Sequence, residues 1–279
     1  MNKKFILNAD DFGMSHAYNK AVFDGYDFGI LKSASLCANG DAFDEAVNDT
    51  IPKCPNLSVG VHLNIIEGKS LTHAPMLTDE NGVFNNGYIA MILKSFDSKF
   101  MQEVEAEFRA QIEKIQSKTK IDHIDSHVHT HAIPNLFRLT VKLAKEYGIH
   151  YIRTQYEKPY FVPNKEKHLN LKYPVNVLKI ILLDTFTMIN KIHLCNKGLR
   201  TNDYLIGVGY TGMMDDMAIE YGLKAIKEDN FTAEALIHPC NYDNPMQDSH
   251  YTEFLITQNE KLKTQIAEMG IEIVNHSAN

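Results

Sequence analysis

Four short stretches of the chain carry side chains suited to chemistry. Asn8-Ala9-Asp10-Asp11-Phe12-Gly13 sets two adjacent carboxylates directly after the apolar run Phe5-Ile6-Leu7. Two like charges beside a buried strand call for a cationic partner, although Asp also serves turns and helix caps. Gly60-Val61-His62-Leu63-Asn64 puts one imidazole inside an apolar run, where a hydrogen-bonded core histidine is the plainer reading. Asp122-His123-Ile124-Asp125-Ser126-His127-Val128-His129-Thr130-His131 is denser. Side chains alternate with period two along an extended chain, so Asp125, His127, His129 and His131 are expected on one face. Neutral imidazoles at that density suit a divalent transition metal, with a carboxylate orienting one ring; the competing reading is a solvated polar loop. The fourth stretch, Glu234-Ala235-Leu236-Ile237-His238-Pro239-Cys240, ends an apolar run at His238, and Pro239 interrupts strand pairing.

These residues need strands that end together. Apolar runs at 5–7, 33–38, 57–63, 121–128, 149–153, 233–238 and 271–274 read as strands. Helical spacing follows at 15–28, from about Asp41, at 100–117, 134–147 and 252–269. Ser15 is placed as a helix N-cap, Pro134 in a first turn and Gly148 at a stop. The βαβα alternation predicts an α/β fold with a mostly parallel sheet: a single-domain (β/α) barrel or distorted barrel, with a doubly wound open sheet as the competitor. Active sites in such folds lie at the C-terminal edge of the strands, where all four stretches end. Residues 156–204 break the rhythm and read as an inserted helical lobe within one catalytic domain covering 1–279.

Composition narrows the function class. Hydrophobic residues make up 44% and charged residues 23% of 279, values of an ordinary globular chain and not of a disordered or collagenous one. The net charge of −7 disfavours bulk nucleic-acid binding. Cys37, Cys54, Cys195 and Cys240 form no CxxC pair and read as reduced thiols of a cytoplasmic protein. The N-terminal apolar run ends at Asp10, too short for a signal peptide. The apolar stretch 175–194 is interrupted by Lys179, Asp184 and Lys191, so no membrane span is expected. That stretch carries apolar residues on more than one helical face, which predicts a helix buried in the core or, alternatively, a homodimer contact.

In this order and spacing, NADDFGMS, GVHLNIIEGKSL, DHIDSHVHTH and IHPCNYD resemble the YdjC-like carbohydrate deacetylases, a family that includes the chitooligosaccharide deacetylases. The resemblance runs from the first strand to His238. It implies a barrel-like fold, one divalent metal ion and removal of N-acetyl groups from amino sugars. By the same resemblance Asp11, His62 and His127 are the expected metal ligands; independently of it, His129 is the second choice should His127 point away. Asp10 is the general base and His238 the general acid. Asp125, His129 and Arg153 are expected to support these groups or touch substrate.

Amide hydrolysis fits this set. A metal ion polarises a carbonyl and lowers the pKa of water towards ~7. Two histidines and a carboxylate suit Zn²⁺ better than Mg²⁺, while the resemblance admits either. Two other readings stay open. A metal-dependent phosphoesterase would need basic residues for phosphate, and only Lys69 and Arg153 lie near these motifs. A non-catalytic sugar-binding protein on the same scaffold would be expected to lose Asp10 or a ligand, and the chain keeps them all.

Overall fold

The structure is a computed structural model that describes residues 2–170, 172–194, 198–243 and 248–278. In chain order its elements are β1 (Asn2–Phe12), α1 (His16–Asp27), β2 (Ser33–Leu36), the short α2 (Phe43–Glu45), β3 (Ser58–Leu63), α3 (Tyr88–Lys94), α4 (Ser98–Gln116), β4 (His123–Ser126), α5 (Pro134–Glu146), β5 (Tyr151–Ile152), α6 (Lys165–His168), α7 (Lys172–Leu194), β6 (Tyr204–Ile206), α8 (Asp216–Ala225), β7 (Asn230–Ile237), α9 (Ser249–Thr257), α10 (Glu260–Glu268) and β8 (Glu272–Ile273).

Every strand pairing is parallel, in the order β5-β4-β3-β2-β1-β7-β6, and β8 pairs with the first half of β1. β1 is buried from Phe5 to Phe12, as a central strand covered on both faces must be. The two ends of the sheet meet sparsely. Arg200 N–H donates to His150 O (2.7 Å), Ile152 N–H to Arg200 O (3.0 Å) and Leu205 N–H to Tyr156 O (2.7 Å). Between them the Asn202 side chain stands in for a strand neighbour, accepting from Thr154 N–H (2.7 Å) and donating to Thr154 O (2.8 Å). The result is a distorted (β/α) barrel, closed on one side partly by a side-chain amide.

Helix α4 illustrates how the outer layer is fixed. Asp97 caps it, its carboxylate accepting from Lys99 and Phe100 N–H, a contribution of about 1 kcal/mol. Phe100, Val104, Phe108, Ile112 and Ile115 form its buried stripe. From the same face Gln111 bonds both backbone groups of Asn64, and Glu107 accepts from Leu71 and Thr72 N–H and from the Ser70 and Thr72 hydroxyls. The long loop after β3 is thereby held over the strand ends.

Several local expectations need correction. The stretch 121–128 is not extended throughout: β4 stops at Ser126, and Val128 and His129 adopt left-handed backbone (φ 52° and 57°). Ser126 Oγ draws the chain round by accepting from His131 N–H (2.9 Å). The segment 252–269 is two helices, because Asn259 caps α10 through Leu262 N–H. Ser15 occupies the N-cap position of α1 without a side-chain capping bond. The expectation of burial for the helix at 175–194 fails. α7 buries Asn176, Leu183, Phe186, Thr187 and Asn190, but Val175, Leu178, Ile181, Met188, Ile189 and Ile192 are exposed. Asn190 anchors the covered face by donating to Ala132 O (2.7 Å), which turns the apolar stripe outward. Cys37, Cys54 and Cys240 are buried free thiols; Cys195 lies outside the described residues. Among the described residues no helix is long and apolar enough to cross a membrane.

Candidate metal centre and active site

Because the strands are parallel, the four polar stretches meet at one edge of the barrel. Asp10 and Asp11 end β1, His62 lies near the end of β3 and Asp125 near the end of β4. His127 follows β4 directly, Arg153 follows β5 and His238 follows β7. Asp11 has left-handed backbone (φ 63°), beside an irregularity in the β1–β2 pairing between Ala9 and Phe12. Such a conformation costs about 1–3 kcal/mol for a non-glycine residue, and here it aims the carboxylate at two imidazoles. His127 Nδ1 lies 2.8 Å and His62 Nε2 3.4 Å from Asp11 Oδ1.

The ligand-type atoms of Asp11, His62 and His127 all lie within 4.8 Å of one another. His62 turns its other nitrogen to Asp125 Oδ1 at 2.7 Å, which fixes the ring and leaves Nε2 directed at Asp11. A histidine held this way by a buried carboxylate is the arrangement that orients metal ligands. His127 Nε2 similarly lies 3.4 Å from Glu67 Oε2, whose side chain is 62% exposed at the rim. The donor set and its orientation fit a divalent cation. A second grouping, Asp10, His62 and Asp125, is already occupied by a protein cation. Arg153 donates from Nη1 and Nη2 to the two oxygens of Asp10 (2.7 Å each) and contacts Asp125 Oδ2 (2.7 Å).

Charge placement follows from these contacts. Burial opposes ionisation of Asp10, but Arg153 outweighs it and holds the carboxyl well below the usual carboxylate range. Burial likewise opposes ionisation of Asp11, and hydrogen bonds from His127 and His62 prevail. His62 is disfavoured as a cation by burial, yet Asp125 and Asp10 lift it to about 10. His238 is 25% exposed and pairs through Nδ1 with the buried Glu253 (3.3 Å). Burial lowers its pKa; the hydrogen bond and charge of Glu253 more than offset that and raise it to about 9.

The other sequence candidates separate here. Asp125 joins the cluster, tied to Ser35, His62 and Arg153. His131 turns away, bonded to Ser126 Oγ (2.5 Å) and Arg153 O (3.0 Å). The expected shared face of Asp125, His127, His129 and His131 therefore does not exist. His129 has a buried Nδ1 without a hydrogen-bond partner among the described residues, and burial, with Arg153 nearby, keeps its ring neutral by lowering its pKa well below the imidazole range. Glu253, Glu67, Ser35 and Asn8 were not anticipated. Asn8 Nδ2 donates to both Asp10 Oδ1 and Ser35 Oγ (2.8 Å each). The period-two alternation of Asn8 with Asp10 was the available signal for one of them; Glu253 sits on a separate helix and carried none.

The chain is similar to known proteins over most of its length. The family model for YdjC-like protein matches residues 4–268. A Brevibacillus brevis protein named carbohydrate deacetylase is 29% identical over 276 residues, covering 98% of each chain. A Listeria innocua protein named carbohydrate deacetylase 2 is 33% identical over 183 residues, 61% of this chain and 72% of that one. A crystal structure from Enterococcus faecalis V583, whose name proposes cellobiose-phosphate cleavage, covers 100% of this chain and 99% of its own at a TM-score of 0.75 and 24% identity. That likeness concerns the fold.

Proposed function

The chain belongs to the YdjC-like family, and on that footing we propose that it is a metal-dependent carbohydrate deacetylase that hydrolyses N-acetyl groups of amino sugars or short oligosaccharides. The observation that carries this reading is the convergence of His62 Nε2 and His127 Nδ1 on Asp11 Oδ1, with Asp125 fixing His62 from behind. Asp11, His62 and His127 would hold one divalent ion, for which two imidazoles and a carboxylate favour Zn²⁺ over Mg²⁺. When bound, the ion supplies electrostatic activation of water and of the acetyl carbonyl.

The protein groups supply the proton transfers. Arg153 keeps Asp10 ionised, and among the described residues Oδ2 of Asp10 accepts only from Arg153 Nη1, which leaves a lone pair to take the proton of the attacking water. His238, held protonated by Glu253, delivers a proton to the departing amine nitrogen; without that transfer the amine is a poor leaving group. Asp125 positions His62, while the neutral, partly buried His129 is assigned to the acetamido group. A phosphoesterase would need a free cation for phosphate, and Arg153 is fully buried and committed to Asp10, Asp125 and Glu234.

In this reading the chain is one catalytic domain with a lobe at about 156–204, acting in the cytoplasm. The exposed apolar stripe of α7 is its contact with a second copy. The test is acetate release from N-acetylglucosamine oligomers beside phosphate release from a phosphoester panel. Acetate alone is expected; phosphate alone would overturn the assignment.

A further inference from the structure

Below the centre, at the opposite end of the barrel interior, lies a second set of buried titratable groups that the mechanism leaves unused. His276, in the segment following β8, is fully buried. Its ring stacks on His123 (centroids 3.6 Å, planes 17° apart) and meets Tyr151 edge-on at 4.5 Å. His276 Nε2 stands at ion-pair distance, 3.3 Å, from Glu234 Oε2.

Two routes run from this ring towards the centre. In the first, Glu234 Oε2 accepts from Tyr151 OH (3.2 Å) while Oε1 accepts from Arg153 Nε (2.6 Å). The other end of that guanidinium clamps Asp10 (2.7 Å). In the second, His123 Nε2 lies 3.0 Å from Ser35 Oγ, which donates to Asp125 Oδ2 (2.6 Å), and Asp125 Oδ1 holds His62 Nδ1 (2.7 Å). Space for the stack is provided by Gly60, where a Cβ would fall 2.2 Å from His123 Nε2. Glu234, His123, Ser35, Asp125 and Arg153 are all fully buried. In such surroundings hydrogen bonds are strong and an unfilled partner position is costly. An apolar ring would fill the floor of the barrel equally well; the imidazole adds a nitrogen 3.3 Å from Glu234 Oε2, an ion-pair approach outside hydrogen-bond geometry, and neither ring nitrogen has a hydrogen-bond partner among the described residues.

We propose that His276 is a positioning residue for the deacetylation centre, fixing Glu234 and through Arg153 the orientation of Asp10, while its stack on His123 steadies Ser35, Asp125 and His62. The proposal rests on the deacetylase reading of the site. The segment after β8 is then part of the active-site architecture despite lying at the far end of the strands.

The test compares His276→Phe, which keeps a stacking ring without nitrogens, with His276→Gln, which keeps a polar head. Loss of such an outlying partner typically lowers activity on the order of tenfold or more. The expected result is that kcat falls by about that factor in His276→Phe and less in His276→Gln, with KM and metal content unchanged. In a Glu234→Gln background the further change to Phe has no added effect, since the two act in series. Wild-type kcat in His276→Phe, or the same fold-loss in both backgrounds, would overturn the proposal. If the Phe variant does not fold, His276→Gln decides through the stack that it removes: a lowered kcat with unchanged metal content supports the proposal, and wild-type kcat overturns it. A wild-type protein that releases no acetate would instead contradict the deacetylase reading. Solvent exchange of the Arg153 Nε–H, followed by NMR, then decides the positioning claim: faster exchange in His276→Phe supports it and unchanged exchange refutes it.

Discussion

Glu253→Gln isolates the electrostatic role of one buried carboxylate. Glu253 accepts from both the His238 backbone N–H (2.5 Å) and its Nδ1 (3.3 Å). An amide oxygen can accept the same bonds, so the geometry survives while the charge goes. His238 is held at about 9 only because Glu253 and the nearby aspartates outweigh burial. Without the Glu253 charge its upward contributions are lost while burial and the aspartates remain, so the imidazole falls from about 9 towards the ordinary histidine range. The sign follows directly: a raised pKa keeps the acid form below about 9 and loses it as pH rises through 9. In the limit of a full return to the free-imidazole value of about 6.5, the protonated fraction at pH 8 drops from roughly nine-tenths to about three-hundredths, a fall of about thirtyfold. The imidazolium that remains is a stronger acid, so this figure is an upper bound on the loss of rate. The assay is amine release from an N-acetylglucosamine oligomer across pH 5–10. In the variant the alkaline fall should move to lower pH, with little loss near pH 5.5. An unshifted profile, or an equal loss at every pH, would refute the assignment of His238 as a proton donor tuned by Glu253.

Three further outcomes follow from the same contacts. His62→Ala should reduce divalent-metal content, measured by elemental analysis, well below one per chain; full retention would remove His62 from the ligand set. Asp10→Asn should keep the metal and lose about 10²–10⁴-fold in kcat, and near-normal turnover would hand the base role to another group such as His129. Leu178→Glu combined with Met188→Glu, both at exposed positions on α7, should give a folded, metal-binding monomer by light scattering if the stripe joins two copies. An unchanged mass would end that reading. Phe186 belongs to the covered face, and truncating such a residue costs about 3–5 kcal/mol, so it is not a probe of the surface.

The legible part of the molecule was the part with strong local patterning. Apolar runs ending in polar clusters indicated where the strands stop, and a parallel sheet then had to bring Asp11, His62, His127 and His238 to one edge. What failed depended on contacts that the local pattern does not announce, some close in sequence and some remote. The stretch from Asp125 to His131 has the alternation of a strand, yet Ser126 captures His131 N–H and two left-handed residues divide the histidines between different surroundings. Alternation records what an extended chain would do and says nothing of where extension ends. α7 carries apolar residues on several faces, and the sequence holds no sign that Asn190 and Ala132 would select the covered one. Glu253 and His276 are single residues in unremarkable contexts, made important only by the positions of His238 and Glu234. Closure of the barrel through Asn202 is likewise visible only in three dimensions.

The central claim, that one metal-holding centre at Asp11, His62 and His127 hydrolyses the N-acetyl group of an amino sugar, is tested most directly by acetate release before and after metal removal. The purified protein is assayed on N-acetylglucosamine oligomers, stripped by a chelator, assayed again, and reconstituted with Zn²⁺ or Mg²⁺. The account predicts acetate release that disappears on stripping and returns with a divalent ion in the wild-type protein but not in His62→Ala. Undiminished acetate release by stripped protein, or full restoration of His62→Ala, would contradict it.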